Sequence, residues 1–225
     1  MQNQTENDII ISSFFDCLNA KSFPCVSAKA ALAKGHIACL VVDHMACPKD
    51  DTAILHFLHN FIDGYRCADA VFYSAAIIFK GPSALTETEF DTLLWKRLQA
   101  LADHDAKNYS YDKRVDPDPV SANFSFSIKE EAFFIIGMHA ASTRIARQFT
   151  YPTLVFNPHS QFEKLKQHNK YESLRDVTRK RDIVFSGSVN PMLDDFGRSS
   201  EARQYSGRMY DDQWKCPFTV KPKQK

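Results

Sequence analysis

Glycine and proline are scarce, seven and ten in 225 residues, so the chain has neither a collagen-like period nor the breaker density of a disordered polypeptide. An excess of one charge sign is also missing. The 28 basic residues face 27 acidic ones, and a net charge of +1 produces no global field to draw nucleic acid or an anionic membrane. The local basic runs, Arg175 to Arg181 and the tail Lys221 to Lys225, read as solvated surface and a frayed end. No apolar stretch approaches the roughly 20 residues of a membrane span. The N-terminal MQNQTENDII lacks the charged and apolar regions of a secretory signal. The six cysteines, at 17, 25, 39, 47, 67 and 216, form no CxxC pair and no tight framework, so they are expected as reduced thiols. Together these absences predict a cytoplasmic protein that binds neither nucleic acid nor membrane.

Several chemical signatures are missing as well. There is no HExxH, no HxH and no close cysteine cluster, which argues against a preformed zinc site. Phosphate loops of the GxxxxGK type and GxGxxG fingerprints are absent, so any reductase working with this chain would be a separate protein. No GxSxG elbow appears, and no internal repeat suggests a solenoid.

What is present is enough apolar material for one large core, 44% of residues, with 18 phenylalanines whose flat rings can line a pocket as well as fill space. Helical spacing is predicted over Asn7 to Ala20, Ser27 to Lys34 (closed by Gly35), Asp51 to Gly64, Thr86 to Lys107, Ala140 to Gln148 and Gln161 to Arg181. Strands are predicted at Ile37 to Val42, which reads as buried, at Ala70 to Phe79, and at Thr153 to Asn157. Asn123 to Ile128 and Ala132 to Met138 should form an antiparallel hairpin whose second strand is central. From Ile183 onward periodicity fades, yet large aromatics persist, as expected of a segment packed across the fold. The reading is a single α+β (mixed α/β) domain with a central mixed sheet and flanking helices, covering residues 22–218. Residues 1–21 form a helical extension and 219–225 a disordered basic tail.

Two strand ends carry an imidazole. His139 follows FFIIGM and His159 follows TLVFNP, and strand ends are where side chains leave a core for a cleft. Arg144 and Arg147, spaced i, i+3 in the predicted helix between them, would share a face able to fork onto carboxylates or phosphates. A capping or turn role for each histidine and a surface ion pair for each arginine remains the alternative. Cys25 and Cys216 could each be a nucleophile or a thiolate ligand, although a buried inert thiol is the plainer state. Asp194 and Asp195, followed by Glu201 to Arg208, concentrate hydrogen-bonding groups among aromatics, as a pocket for a polar ligand would.

Five ordered segments resemble one family: FPC at 23–25, FSIKEEAFFIIGMHAASTRIARQF, YPTLVFNPHSQFEKL, FSGSVNPMLDDFGRSSEARQYSGR and WKCPF. The sequence resembles the YqcI/YcgG family, which includes the haem-dependent guanidine N-hydroxylase of guanitoxin biosynthesis, from about Phe23 to Phe218. It departs from the family pattern at Ala140, where a proline is usual. The resemblance implies haem b and a mono-oxygenase that N-hydroxylates a small guanidino or amino compound, using dioxygen with a separate electron donor, or peroxide. His139 would be the axial metal ligand, with His159 second and Cys25 and Cys216 as rivals, because a thiolate drives O–O heterolysis. Arg144 and Arg147 would hold propionates. Asp194, Asp195 or Glu201 would grip a guanidinium through planar pairing. A haem- or small-molecule-binding carrier or sensor without turnover is the alternative, and homodimerisation stays open.

Overall fold

Two threonines open helices by the same device. Thr5 and Thr86 each accept the backbone N–H of the residue three positions on, and that residue, Asp8 or Glu89, reaches back to the threonine N–H. The computed structural model describes residues 5–68, 70–190, 192, 194 and 197–220. In chain order these build α1 (Glu6–Asn19), α2 (Val26–Ala33), β1 (Ile37–His44), α3 (Asp51–Cys67), β2 (Ser74–Gly81), α4 (Glu87–Asp105), β3 (Phe126–Ile128), β4 (Glu131–Met138), β5 (Thr153–Pro158), α5 (His159–Gln167) and α6 (Tyr171–Ser186), with three short 3-10 turns. The strands form one mixed sheet in the order β1-β2-β5-β4-β3. The β1–β2 pair is parallel and the other three are antiparallel. This is the expected α+β architecture, with the β3–β4 hairpin in place.

Side chains alternate across the sheet, so each strand feeds two layers. Ala75, Ile77, Phe79, Phe133, Ile135, Leu154 and Phe156 face α3 and α4, where Ile54, Leu58, Phe90, Leu94 and Leu98 complete the larger core. Ala76, Ile78, Ile136, Met138 and Val155 face the other way and meet Ile10, Phe14 and Leu18 of α1. Residues 1–21 therefore supply a helix whose apolar stripe is part of a core. Gly137 lets β4 approach α4: a Cβ there would stand 2.7 Å from the Phe90 ring and 2.9 Å from Leu94.

Beyond β3 the free edge of β4 is taken by the C-terminal segment. The Gly137 N–H donates to the Tyr205 carbonyl at 2.7 Å. The fully buried Tyr205 hydroxyl accepts from the Phe126 N–H at 3.0 Å and donates to the Phe133 carbonyl at 3.2 Å. The irregular tail is thus packed across the sheet, as its aromatics predict.

Three expectations need correction. Ile37 to Val42 is an edge strand and mostly half-buried, because β1 has a neighbour on one side only. Ala140 to Gln148 is a loop closed by a single 3-10 turn at Ile145–Arg147. Its polar groups find tertiary partners in place of helical ones: Thr143 donates through its backbone and hydroxyl to Glu87, and the His139 N–H donates to the Arg147 carbonyl. Gln161 to Arg181 is two helices, broken where Asn169 adopts a left-handed φ of 56°. The expectations for Asp195, Phe196 and Lys221 to Lys225 lie outside the described residues. Among the described residues, no helix is long and apolar enough to cross a membrane.

Candidate functional site

β4 and β5 run antiparallel, with Phe133 opposite Pro158 and Met138 opposite Thr153. The C-terminal end of one is therefore beside the N-terminal end of the other, and the two strand-end histidines sit at opposite ends of the pair, separated by about 20 Å of strand. They also sit on opposite faces. His139 continues the parity of Phe133, Ile135 and Gly137 toward α4, whereas His159 continues that of Val155 and Asn157. The register of the pair therefore keeps the two strand-end imidazoles apart.

His139 is 1% exposed and stacks on Phe90, with ring centroids 4.3 Å apart. Neither ring nitrogen makes a hydrogen bond. Burial pushes its pKa below the ordinary range, Glu87 pulling weakly the other way. Cys216 packs against the same α3/α4 core, and burial pushes its thiol up to about 12, so it is a protonated core residue.

The opposite face of the sheet holds a cavity of about 310 Å³. Phe134, Ile136, Met138 and Val155 make its floor, and Phe14, Leu18 and Phe23 one wall. A stripe of α6 roofs it: Leu174, Arg175, Thr178, Arg179 and Asp182 line the space at helical spacing. No residue of α6 is fully buried, although α6 runs for 16 residues. The helix covers the void without filling it.

Cys25, Arg144, Arg147, His159, Asp194 and Glu201 all line this cavity, so the structure brings six of the nine predicted site residues together. His139 and Cys216 stand apart, and Asp195 is outside the described residues. The two arginines are already engaged. Arg147 donates to the carbonyls of Gly137 (3.0 Å), Gln204 (3.1 Å) and Tyr205 (3.2 Å), and its burial draws its pKa down to about 10. Arg144 pairs with Asp182 and donates to the Ser188 carbonyl at 3.1 Å. Since Arg144 is the extended residue preceding the 3-10 turn, the two share no helical face.

Cys25 caps α2, its sulfur accepting the Ala28 N–H at 3.4 Å. Burial raises its pKa, while backbone N–H groups and the charges of Arg147 and Arg181 act to lower it. At another pole of the cavity His159 Nδ1 stands 3.6 Å from Glu201, and its Nε2 stands 3.8 Å from Glu163. Gln204, 2% exposed, lines the same pole.

Sequence reasoning passed over Phe14 and Leu18, assigned to an extension, and Arg175 and Arg179, read as solvated surface. The stripe that includes Tyr171, Leu174 and Thr178 was the available signal, hidden by the charges interleaved with it.

Residues 14–219 match the model of the YqcI/YcgG family, which is most of the chain. The chain belongs to the YqcI/YcgG family. Among its YqcI/YcgG relatives is a Bacillus subtilis (strain 168) protein described as the uncharacterized protein YqcI, 25% identical over 154 residues. That alignment takes in 64% of this chain and 60% of the relative, so less than two thirds of the relative is spanned. No solved structure gives a significant match.

Proposed function

We propose that this YqcI/YcgG protein binds haem b in the cavity beneath α6 and N-hydroxylates a small guanidino or amino compound. The observation that carries the reading is the cavity itself, apolar across its floor and one wall, with a thiol, an imidazole, a carboxylate and cations on its margin. A flat macrocycle needs two apolar faces and a polar edge. The sheet floor offers one such face, and Phe14, Leu18 and Leu174 the other.

Cys25 is the residue that would hold the iron. Its sulfur is in the cavity wall and already receives a backbone N–H. Burial raises the pKa of the free thiol, with the backbone N–H groups and nearby arginines acting the other way, so iron would bind with loss of the thiol proton. His159 suits that role less, because both of its nitrogens face carboxylates. His139 does not border the cavity. Lys166, Arg175 and Arg179 line its α5 and α6 side, where Lys166 pairs with Glu163 and Arg175 with Asp176, and with Arg144 and Arg147 they would make the cationic edge for the propionates. Bound haem supplies the activation of dioxygen or peroxide, with electrons from a separate donor in the first case. The chain's own contribution is to exclude water with the phenylalanine wall and to hold the nitrogen compound at the Glu201 and Asp194 pole.

The experiment is an absorption spectrum of protein expressed with haem supply, oxidised and then reduced with carbon monoxide. A Soret band with a sulfur-type carbon monoxide complex is expected, shifted or lost in Cys25→Ala and retained in His159→Ala. A colourless protein after reconstitution ends the proposal. A band with product formed from no guanidino or amino compound reduces it to a haem carrier or sensor.

A further inference from the structure

The two edges of the sheet are finished differently. β3 is three residues long, and its Phe126 N–H is taken by the Tyr205 hydroxyl at 3.0 Å. Short, covered strands are one way in which natural sheets protect an edge. β1, the other edge, runs for eight residues and begins IACLVV, without a charge or a proline.

Hydrogen bonds at its ends fix which way its backbone points. The His36 carbonyl accepts the Ser74 N–H at 3.1 Å, so the even-numbered residues of this strand face β2. Odd-numbered residues face outward, in keeping with the Asp43 N–H, which donates to the Asp50 carboxylate at 3.1 Å. Ile37, Cys39 and Val41 therefore direct N–H and C=O to the free side. Among the described residues these backbone groups have no hydrogen-bond partner. The same three side chains pack toward α1, and Leu40 and Val42 toward α3, so the bare edge is apolar on both flanks.

This row is its own complement. Set antiparallel against a second copy, about a two-fold axis through Cys39, it places Cys39 opposite Cys39, Ile37 opposite Val41 and Ala38 opposite Leu40. Every outward N–H of Ile37, Cys39 and Val41 then meets an outward C=O. No charge enters the row. At each end the exposed Lys34 of one copy approaches the Asp43, Lys49 and Asp50 group of the other, which is net acidic. Parallel pairing would bring like ends together and would not close by symmetry.

We propose that β1 is the subunit interface of a homodimer, in which two copies pair β1 antiparallel about Cys39. The product is one continuous sheet with five strands from each copy. Its outer edges are the short, covered β3 strands, so assembly stops at two. Ile37 also lines the cavity beneath α6, and the partner's Val41, opposite it on the same face, lies beside that wall. The inference is independent of what the cavity holds.

The test combines sedimentation velocity with amide exchange on the full chain. A species of twice the chain mass is expected at micromolar concentration, with slow exchange at Ile37, Cys39 and Val41 that quickens on dilution to monomer. Val41→Pro removes an outward N–H from each copy, at an edge position where a monomer tolerates proline. It should weaken association at least about tenfold with the circular dichroism unchanged. If that variant does not fold, Ala38→Lys replaces it with the same expectation, because it sets an ammonium group against Leu40 of the other copy. Monomer throughout the micromolar range, fast exchange at the three amides within a dimer, or a folded variant that dimerises as wild type would overturn the assignment. So would protection of these amides that does not change on dilution, since the edge would then have another partner.

Discussion

His139 is a residue whose environment and residue type disagree. An imidazole lies flat on Phe90 with both nitrogens unspent, in a position an apolar ring would fill without desolvating polar atoms. Burial lowers its pKa, so the folded state takes up a proton less readily than the unfolded chain does. Stability is then full above the unfolded value of about 6.5 and is lost as pH falls below it. Replacing His139 by Phe should therefore flatten the fall in stability between about pH 7 and pH 5, measured by urea unfolding at each pH. The same variant should keep any Soret band, because this ring does not line the cavity beneath α6. Loss of the band in His139→Phe, with the fold intact, would return the axial role to the residue first favoured on sequence grounds.

Among the elements, α6 differs most from its neighbours. Leu94 and Leu98 of α4 are fully buried and close the larger core, whereas α6 has no fully buried residue and roofs a void. Its attachments include Arg144 to Asp182, Arg181 to the carbonyls of Lys21 and Phe23, and Tyr171 edge-on to Phe162. The left-handed Asn169 and Gly187 bracket it. A helix held this way should open readily when the cavity is empty and gain contacts when it is filled. Amide exchange across 171–186 is expected to slow markedly on haem loading, while that of α4 changes little. Equal protection of α6 with and without haem would place any bound haem elsewhere.

For the molecule as a whole, α1 is part of the fold that a boundary at residue 22 would remove. Phe14 and Leu18 are buried and also wall the cavity, so the helix serves the core and the site together. Deleting residues 1–21 should lower the melting temperature and weaken haem retention in parallel. The point variant Phe14→Ala, costing about 3–5 kcal/mol by chemical denaturation, tests the packing half of that statement alone. A truncated chain with unchanged stability and haem affinity would show that α1 is dispensable.

The local chemistry of the chain was enough to determine its helices with capping threonines, the β3–β4 hairpin, the α+β class and the inward-packed aromatic tail, because each depends on residues near in sequence. It also marked Cys25, His159, Asp194 and Glu201 as residues worth following. Only the tertiary structure decided which of the marked residues meet. The two imidazoles follow near-identical strand motifs, yet antiparallel pairing sends them to opposite ends, and a one-residue difference in parity sends them to opposite faces. The loop after β4 has helical spacing but finds several of its hydrogen bonds in α4 and the C-terminal turn, contacts between residues 50 or more positions apart. Register and tertiary competition are non-local energies, and no window along the chain contains them.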